Sequence, residues 1–136
     1  MSEAGCAPPQ RLCKGAVALK EARLRMCPFC SRRSHDAWID NGHAIAFADA
    51  YPVTEGHTLV VLRKHVSSIY RLTAEEQAAA WSLVAEVRER LLTGLKPDAF
   101  NIGLNDGLAA GQTIEHAHVH IIPRRERDLA DPRGGI

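Results

Sequence analysis

The sequence predicts an α+β domain, on the basis of two patterns that occupy different parts of the chain. Several short apolar stretches are bounded by Gly, Pro, Asn or Asp, which is typical of β-strands. One longer stretch, from Thr73 to Leu92, instead repeats its apolar residues with the period of a helix. Together they favour a mostly antiparallel sheet of about five strands with one long helix packed on it.

The overall composition excludes some classes of partner. The chain has 136 residues, enough for one domain with a substantial core. Its 17 basic and 16 acidic side chains leave a net charge of +1, so no general field attracts nucleic acid or a membrane surface. No apolar run reaches the length of a membrane span, and the first residues lack the apolar core of a signal peptide. We therefore expect no nucleic-acid or membrane partner and a cytoplasmic location.

The first 25 residues differ in composition from the rest of the chain. Pro8 and Pro9 interrupt local structure, and five basic residues follow them. We expect residues 1–25 to form a mobile N-terminal extension and residues 26–136 to form the domain. Translation that starts at Met26 is an alternative. Cys6 and Cys13 lack the spacing of metal ligands, and we assign them no role.

The first predicted strands form a hairpin. Trp38–Asp40 and Ala44–Phe47 flank Asn41-Gly42, a dipeptide that is typical of a two-residue hairpin turn. The next strand, His57–Leu62, is almost wholly apolar after its first residue. We therefore expect it to be the central strand, covered on both faces.

The long helix has recognisable start and stop signals. Thr73 and Glu76 have the spacing of a capping box, and Gly94 is expected at the C-terminal cap. The helix is scaffolding for the strand Asp98–Leu104 and its neighbours. Its predicted apolar face comprises Trp81, Val84, Ala85, Leu91 and Leu92.

The most informative stretch is Gly111–Pro123, because three of the seven histidines alternate with small or β-branched residues there. That composition predicts a buried strand, with Pro123 at its end. Alternate side chains of a strand share a face, so His116, His118 and His120 line one surface. Such a row can bind a metal, supply a nucleophile with its helpers, or form only a polar face.

Cys27 and Cys30 form a Cys-x-x-Cys pair, which is either half a zinc site or a redox motif. A redox motif of the thioredoxin kind requires a strand before the pair and a helix after it. The residues on either side do not have those patterns. Zinc requires two further ligands, for which His and Cys are the candidates.

The stretch His116-Ala117-His118-Val119-His120-Ile121-Ile122 resembles the histidine-triad motif, His-φ-His-φ-His-φ-φ, of the HIT superfamily. The resemblance runs from about Cys27 to Pro132, and is closest to bacterial HIT hydrolases and histidine-triad nucleotide-binding proteins. It implies the HIT-like fold and a homodimer in which two such sheets pair. It also implies that the partner is a purine nucleotide or a related nucleoside phosphate.

The resemblance also implies a role for individual residues. Zinc-containing branches of the family support His65 and His116 as the two ligands that complete a structural zinc site with Cys27 and Cys30. His57 orients the triad by hydrogen bonding, and Asp49 holds the ribose hydroxyls. The residues expected to bind the nucleotide are Asp49, Asn105, Gly111, Gln112, Thr113, His118 and His120.

The chemistry that we expect from this resemblance is nucleotidyl transfer to water. His118 attacks the α-phosphorus of a nucleoside phosphate, phosphoramidate, adenylate or dinucleoside polyphosphate, and water hydrolyses the nucleotidyl-histidine. Neutral imidazole is a good nucleophile near neutral pH if an acceptor fixes its other nitrogen. His120 donates to the phosphoryl oxygens or the leaving group. Groups from Asn105 to Thr113 hold the developing charge.

Two other classes of function remain open from the sequence. In a zinc metallohydrolase, His116, His118 and His120 would jointly bind a catalytic metal, which leaves Cys27 and Cys30 unexplained. In a nucleotide-binding or partner-binding module, the same pocket would be used with negligible turnover, because the triad alone does not guarantee a rate.

Overall fold

A computed structural model describes residues 26–32 and 36–134 of the chain. The predicted N-terminal extension, residues 1–25, lies outside the described residues. The helices and strands, in chain order, are α1 (Pro28–Ser31), β1 (Ile39–Asp40), β2 (Ala44–Ala48), β3 (Thr58–Leu62), α2 (Ala74–Leu95), β4 (Ala99–Gly103) and β5 (His118–Arg124). Short 3-10 turns at Ile69–Arg71 and Leu108–Ala110 lie in the connections.

The five strands form one antiparallel sheet in the order β1-β2-β3-β5-β4, and the long helix α2 packs on it. This architecture confirms the predicted α+β fold with β3 at the centre. The predicted hairpin joins β1 to β2. Its turn is fixed by Asn41, whose side-chain oxygen accepts the backbone N–H groups of His43 and Ala44, and by Gly42 at a φ of +87°.

The sheet register decides which residues share a face. Leu59 of β3 lies opposite His120, and Val61 lies opposite His118, so the histidines share a face with the β3 residues Leu59 and Val61. The other face carries Val60 and Val119, which pack in the main core with α2. All five residues of β3 are buried, as expected of a strand covered on both sides.

Helix α2 begins as predicted and ends later than predicted. The Thr73 side chain accepts the Glu76 N–H, and the Glu76 carboxylate accepts the Thr73 N–H, which completes the capping box. The helix continues through Gly94 to Leu95, and Lys96 ends it in a left-handed conformation with φ of 49°. Pro97 accounts for this end, because the residue before a proline is disfavoured in the helical region.

The predicted apolar face of α2 is partly wrong. Trp81 is 43% exposed and Ala85 is also exposed, whereas Ala80, Leu83 and Val87 are buried. The buried set follows the i, i+3, i+4, i+7 pattern of a single stripe. The largest apolar side chain therefore did not mark the buried face.

The boundaries of β5 also differ from the prediction. The strand begins at His118, so His116 lies just before it, and it continues through Pro123 to Arg124. Pro123 is tolerated because β3 begins at Thr58, opposite Ile121, so Pro123 has no ladder partner on the β3 side. Neither described helix is both long and apolar enough to cross a lipid bilayer.

Candidate functional site

The cluster of Cys27, Cys30, His65 and His116 lies where α1 meets the histidine end of the sheet. One helical turn places the two buried cysteines side by side. His116 Nδ1 lies 3.4 Å from Cys27 Sγ and 3.5 Å from Cys30 Sγ. His65 Nδ1 lies 3.2 Å from both Cys30 Sγ and His116 Nδ1. Four residues from three separate parts of the sequence therefore direct one donor atom each to a common point, all within 4.8 Å of one another.

The donor set of this cluster fits a tetrahedral zinc ion. With Zn–N and Zn–S bonds of about 2.1 and 2.3 Å, neighbouring donor atoms of such a site lie about 3.3 to 3.8 Å apart. Four of the six distances between donor atoms of the cluster are 3.2 to 3.5 Å, and the other two are no longer than 4.8 Å. In addition, His116 Nε2 donates to the Leu62 carbonyl at 2.5 Å, which leaves the lone pair of the neutral ring on Nδ1, facing the sulfurs.

His118 is held in one tautomer by the backbone of the strand. Its Nδ1–H donates to the His116 carbonyl oxygen at 2.7 Å, so the lone pair of the neutral ring is on Nε2. The residue is only 8% exposed. The rings of Phe29 and His120 meet it edge to face, each with a centroid separation of 5.0 Å. The orientation of the His118 ring is therefore fixed, and the nitrogen left without a proton in the neutral ring is Nε2.

A chain of hydrogen bonds sets the tautomer of His120. The backbone N–H of Val53 donates to His57 Nδ1 at 3.1 Å, so the proton of neutral His57 is on Nε2. The His57 Nε2 atom lies 3.0 Å from His120 Nδ1 and 3.4 Å from an oxygen of Asp49. His120 Nδ1 consequently accepts, and the proton of neutral His120 is on Nε2. His120 is thus a hydrogen-bond donor at that nitrogen.

The surroundings of these two rings favour their neutral forms. Burial, together with the neighbouring His118 and His57, lowers the pKa of His120 to about 4, although the Asp49 carboxylate opposes the shift. Burial also lowers the pKa of His57 below its ordinary value, and the Asp49 carboxylate opposes that shift. At neutral pH both rings are uncharged, so His120 donates a hydrogen bond without carrying a positive charge.

The nitrogen and oxygen atoms of Asp49, His57 and His120 also lie within 4.8 Å of one another. They do not suit a metal ion in the observed arrangement. Coordination by His57 Nε2 would move the ring proton to Nδ1, where the Val53 N–H already points. The three triad histidines likewise do not converge. In the described part of the chain, His116 belongs to the cysteine cluster and His120 to the group with Asp49.

A pocket of about 470 Å³ opens in front of His118 and His120. Asp49 forms part of its wall, with one carboxylate oxygen accepting the Tyr51 N–H at 2.9 Å. The pocket is lined by Pro28, Phe29, Arg32, Asp49, Ala50, Tyr51, Leu59, Thr113, Ile114, His118 and His120. Its size and its mixture of apolar walls with a few polar groups are typical of a small-molecule site.

The structure distributes the predicted loop residues between two positions. Thr113 lines the pocket. The buried Gln112 amide instead braces the loop: it donates to the Ser67 and Ile114 carbonyls and accepts the Gly107 N–H at 2.8 Å. The neighbouring residues Gly111 and Asn105 support the turn. Gly111 has a φ of +91°, and the Asn105 amide nitrogen lies 3.6 Å from the point where a Cβ of residue 111 would be.

The sequence did not indicate every residue of the pocket. Phe29, Arg32 and Tyr51 line it, yet none of them was among the predicted site residues. Phe29 and Arg32 do lie within or next to the Cys-x-x-Cys segment. If that segment binds zinc beside the triad, the residues within and next to it must also lie near the triad. This reasoning could have predicted Phe29 and Arg32 from the sequence.

Comparisons with known proteins identify the family of this chain. A family model described as the HIT domain matches residues 33–127. An uncharacterised HIT-like protein of Mycoplasma genitalium is 41% identical over 87 residues, which are 64% of this chain and 62% of that protein. A bis(5'-nucleosyl)-tetraphosphatase of Schizosaccharomyces pombe is 37% identical over 63% of this chain and 47% of its own length. An adenylylsulfatase of Arabidopsis thaliana is 36% identical over 62% of this chain and 43% of its own length.

Solved structures give the same result. A HIT family protein of Bacillus anthracis superposes with a TM-score of 0.69 at 34% identity, over 75% of each chain. A zinc-bound histidine triad family protein of Mycobacterium smegmatis superposes with a TM-score of 0.68 at 32% identity, over 79% of this chain and 81% of its own. The chain spans less than two thirds of the length of the first curated relatives that it matches. From the domain match, the fold and the position of the triad, the chain belongs to the HIT family.

Proposed function

We propose that this protein cleaves a nucleotide at its α-phosphate, either by hydrolysis or by transfer of the nucleotidyl group. The reaction passes through a nucleotidyl intermediate on His118. The observation that carries the proposal is the fixed tautomer of His118, whose Nδ1–H is bound to the His116 carbonyl. The remaining nitrogen, Nε2, has a lone pair and belongs to a side chain that lines the 470 Å³ pocket. A neutral imidazole held in this way attacks phosphorus without needing a separate base.

The reaction consists of two displacements. In the first, the His118 Nε2 lone pair forms a bond to the α-phosphorus, and the bond from phosphorus to the leaving group breaks with its electron pair on that group. In the second, a water oxygen attacks the same phosphorus, the N–P bond breaks, and its electron pair returns to Nε2. The water proton passes to solvent or to the leaving group.

Other pocket residues support these steps. His120 donates its Nε2–H to a phosphoryl oxygen or to the leaving group, and His57 positions it through the 3.0 Å hydrogen bond. Asp49 offers carboxylate oxygens to the ribose hydroxyls. Thr113 faces the pocket and donates to the phosphate, while Gln112, Gly111 and Asn105 hold the backbone N–H groups of the loop in place.

The cysteine cluster is proposed to hold a structural zinc ion through Cys27, Cys30, His65 and His116. When bound, zinc supplies a fixed crosslink between α1, the segment after β3 and the start of β5. His116 then orients the nucleophile, because its carbonyl oxygen is the acceptor for His118 Nδ1–H. No part of the phosphoryl chemistry requires the ion.

The substrate class is inferred from the relatives. One is named as a dinucleoside tetraphosphatase and another as an adenylylsulfatase, so both names refer to nucleotides with an anhydride bond at or near the α-phosphate. A low-pKa leaving group of this kind departs without full protonation. This matches a neutral His120 that donates only a hydrogen bond.

A homodimer is proposed through the edge of the sheet. β4 pairs only with β5, so within the described residues its outer edge has no strand partner. Asn101 on this strand has a buried side-chain oxygen that finds no hydrogen-bond partner among the described residues. Pairing with β4 of a second copy would cover this edge. Analytical ultracentrifugation that gives the mass of a single chain would contradict the proposed homodimer.

The experiment that tests the function is product analysis with stereochemistry. The protein is incubated with dinucleoside polyphosphates, nucleoside phosphoramidates and adenylates, and the products are identified. A substrate that is chiral at a phosphorothioate α-phosphorus is then hydrolysed. Two in-line displacements, each inverting phosphorus, give net retention.

The matched variants are His118→Ala, which we expect to abolish turnover, and His43→Ala, an exposed histidine outside the pocket, which we expect to retain it. Inversion of configuration would overturn the nucleotidyl-histidine, since a single displacement by water predicts it. Tight nucleotide binding without any product would favour the binding module instead.

A further inference from the structure

Arg32 is a cationic side chain in the wall of the candidate pocket that the proposed chemistry does not use. It directly follows α1 and is half-buried. Its guanidinium carbon lies 5.7 Å from the ring centroid of Phe47, over the face of the ring. This cation–π contact holds the charged group in place against the sheet.

None of the ion pairs within residues 26–32 and 36–134 involves Arg32. A guanidinium carries five N–H donors in a planar fork and no acceptor. A ligand that presents two acceptors along one edge would satisfy it. A ligand that presents a donor there would lose a hydrogen bond and meet a repulsive contact.

The sheet register locates Arg32 relative to the reacting histidines. His120 on β5 is opposite Leu59 on β3, and Leu59 is opposite Phe47 on β2. Two strand spacings, roughly 10 Å, therefore separate Phe47 and the guanidinium above it from His120. Asp49, which follows β2, reaches back to within 3.4 Å of His57 Nε2.

This order matches the parts of a nucleotide. With phosphorus at His118 and the sugar beside Asp49, as the proposed function requires, the nucleobase extends toward Phe47. Arg32 lies at that end of the pocket, and the buried Phe29 ring forms the neighbouring wall. The phosphate is held at the opposite end.

We propose that Arg32 is a specificity-determining residue that favours a 6-oxopurine, such as guanine, over adenine. The edge of guanine presents two adjacent acceptors, O6 and N7, which match the guanidinium fork. Adenine presents N7 beside the N6 amino group, which is a donor and opposes the guanidinium. The inference rests on the proposed function, because it assigns the phosphate end of the pocket to the histidines.

The first test uses the unaltered full chain and nucleoside monophosphates, which are products and not substrates of the proposed reaction. Calorimetric titration is performed with GMP, AMP, IMP and 7-deaza-GMP. A bidentate arginine contact predicts that GMP binds about tenfold or more tightly than AMP. IMP keeps O6 and N7 and is expected to bind like GMP. 7-Deaza-GMP lacks N7 and is expected to bind more weakly than GMP.

The second test uses variants of Arg32. Arg32→Leu keeps a similar side-chain volume and removes all five donors. Because the bidentate contact is lost, the affinities for GMP and AMP should then differ by no more than about twofold. Arg32→Lys keeps the charge but not the fork, and is expected to lose most of the preference. Arg71→Leu is the matched control, because Arg71 is exposed and outside the pocket, and it should keep the preference.

Two results would overturn the assignment of Arg32 while leaving the proposed function intact. In the first, GMP and AMP bind the unaltered protein equally. In the second, Arg32→Leu weakens the binding of GMP and of AMP by the same factor, which would indicate that Arg32 contacts the phosphate or the sugar. Failure of all four nucleotides to bind would overturn the proposed function and the specificity with it, so the two failures are distinguishable.

Discussion

At the scale of single residues, the candidate site depends on which ring nitrogen of each histidine carries the proton. Backbone groups decide this: the Leu62 carbonyl for His116, the His116 carbonyl for His118, and the Val53 N–H for His57. The three side chains are buried, so an unmatched nitrogen would lose hydrogen bonds without compensation from water. In the proposed function, one type of residue thus provides a zinc ligand, a nucleophile and a positioning group.

The lowered pKa of His120 predicts how stability depends on pH. Its pKa is about 4 in the folded protein against an ordinary value of 6.5, so the unfolded chain binds this proton more readily. The contribution is fully present above pH 6.5 and is lost as the pH falls toward 4. Burial also lowers the pKa of His57, so this residue contributes to the pH dependence with the same sign.

Urea denaturation at several pH values checks this prediction. His120→Gln is expected to lose less stability than the unaltered protein as the pH falls from 7 to 5, with a pH slope smaller by up to about one proton. His43→Gln, a change at an exposed position, should keep the original slope. Equal slopes for the unaltered protein and His120→Gln would contradict the lowered pKa.

At the scale of secondary-structure elements, local signals set where elements begin better than where they end. The capping box at Thr73 involves residues three apart, and it forms as the sequence indicates. The end of α2 at Leu95 depends on Pro97, whereas the favourable cap residue Gly94 lies inside the helix. The role of the one-turn helix α1 is to place Cys27 and Cys30 side by side.

The capping box gives a prediction for the stability of α2. Thr73→Ala removes the side chain that accepts the Glu76 N–H, and the free energy of unfolding is expected to fall by about 1 kcal/mol. Thr93→Ala is the matched control, since Thr93 is exposed near the other end of the helix and alanine is the better helix former. Thermal or urea denaturation measures both. Equal effects at the two positions would contradict a contribution from the cap.

At the scale of the whole molecule, the fold brings together residues that are far apart in sequence. Cys27 and His116 are 89 positions apart, and Cys30 and His65 are 35 apart, yet their donor atoms lie within 3.4 Å. These contacts link α1, the segment after β3 and the residues just before β5. A ligand that binds there stabilises the folded state, since the unfolded chain does not preserve the arrangement.

Zinc removal is therefore expected to destabilise the protein. Metal analysis should find about one zinc per chain, as a single four-ligand site requires. At free zinc a thousandfold above the dissociation constant, bound metal contributes about 4 kcal/mol, which a strong chelator should abolish. His65→Ala should lower zinc content and melting temperature, whereas His43→Ala, outside the cluster, should change neither. Native protein without zinc, and with a melting temperature unaffected by chelator, would refute the site.

The sequence by itself determined the features that arise from short-range pattern. Alternation placed His118 and His120 on one face, the spacing of Cys27 and Cys30 paired them, and the capping box started α2. These depend on strand and helix periods, which act over a few residues. The family resemblance added the general architecture, which the domain match and the superposed structures confirm.

Only the tertiary structure decided the features that depend on packing between distant segments. It buried Ala80 and Leu83 rather than Trp81, because the sheet accepts one narrow stripe of α2. It turned the Gln112 amide toward backbone groups, and it brought Arg32 into the pocket over Phe47. Proton positions on the histidines likewise follow from carbonyl and N–H groups elsewhere in the fold. Such contacts leave no periodic trace in the sequence, since either partner alone is compatible with many environments.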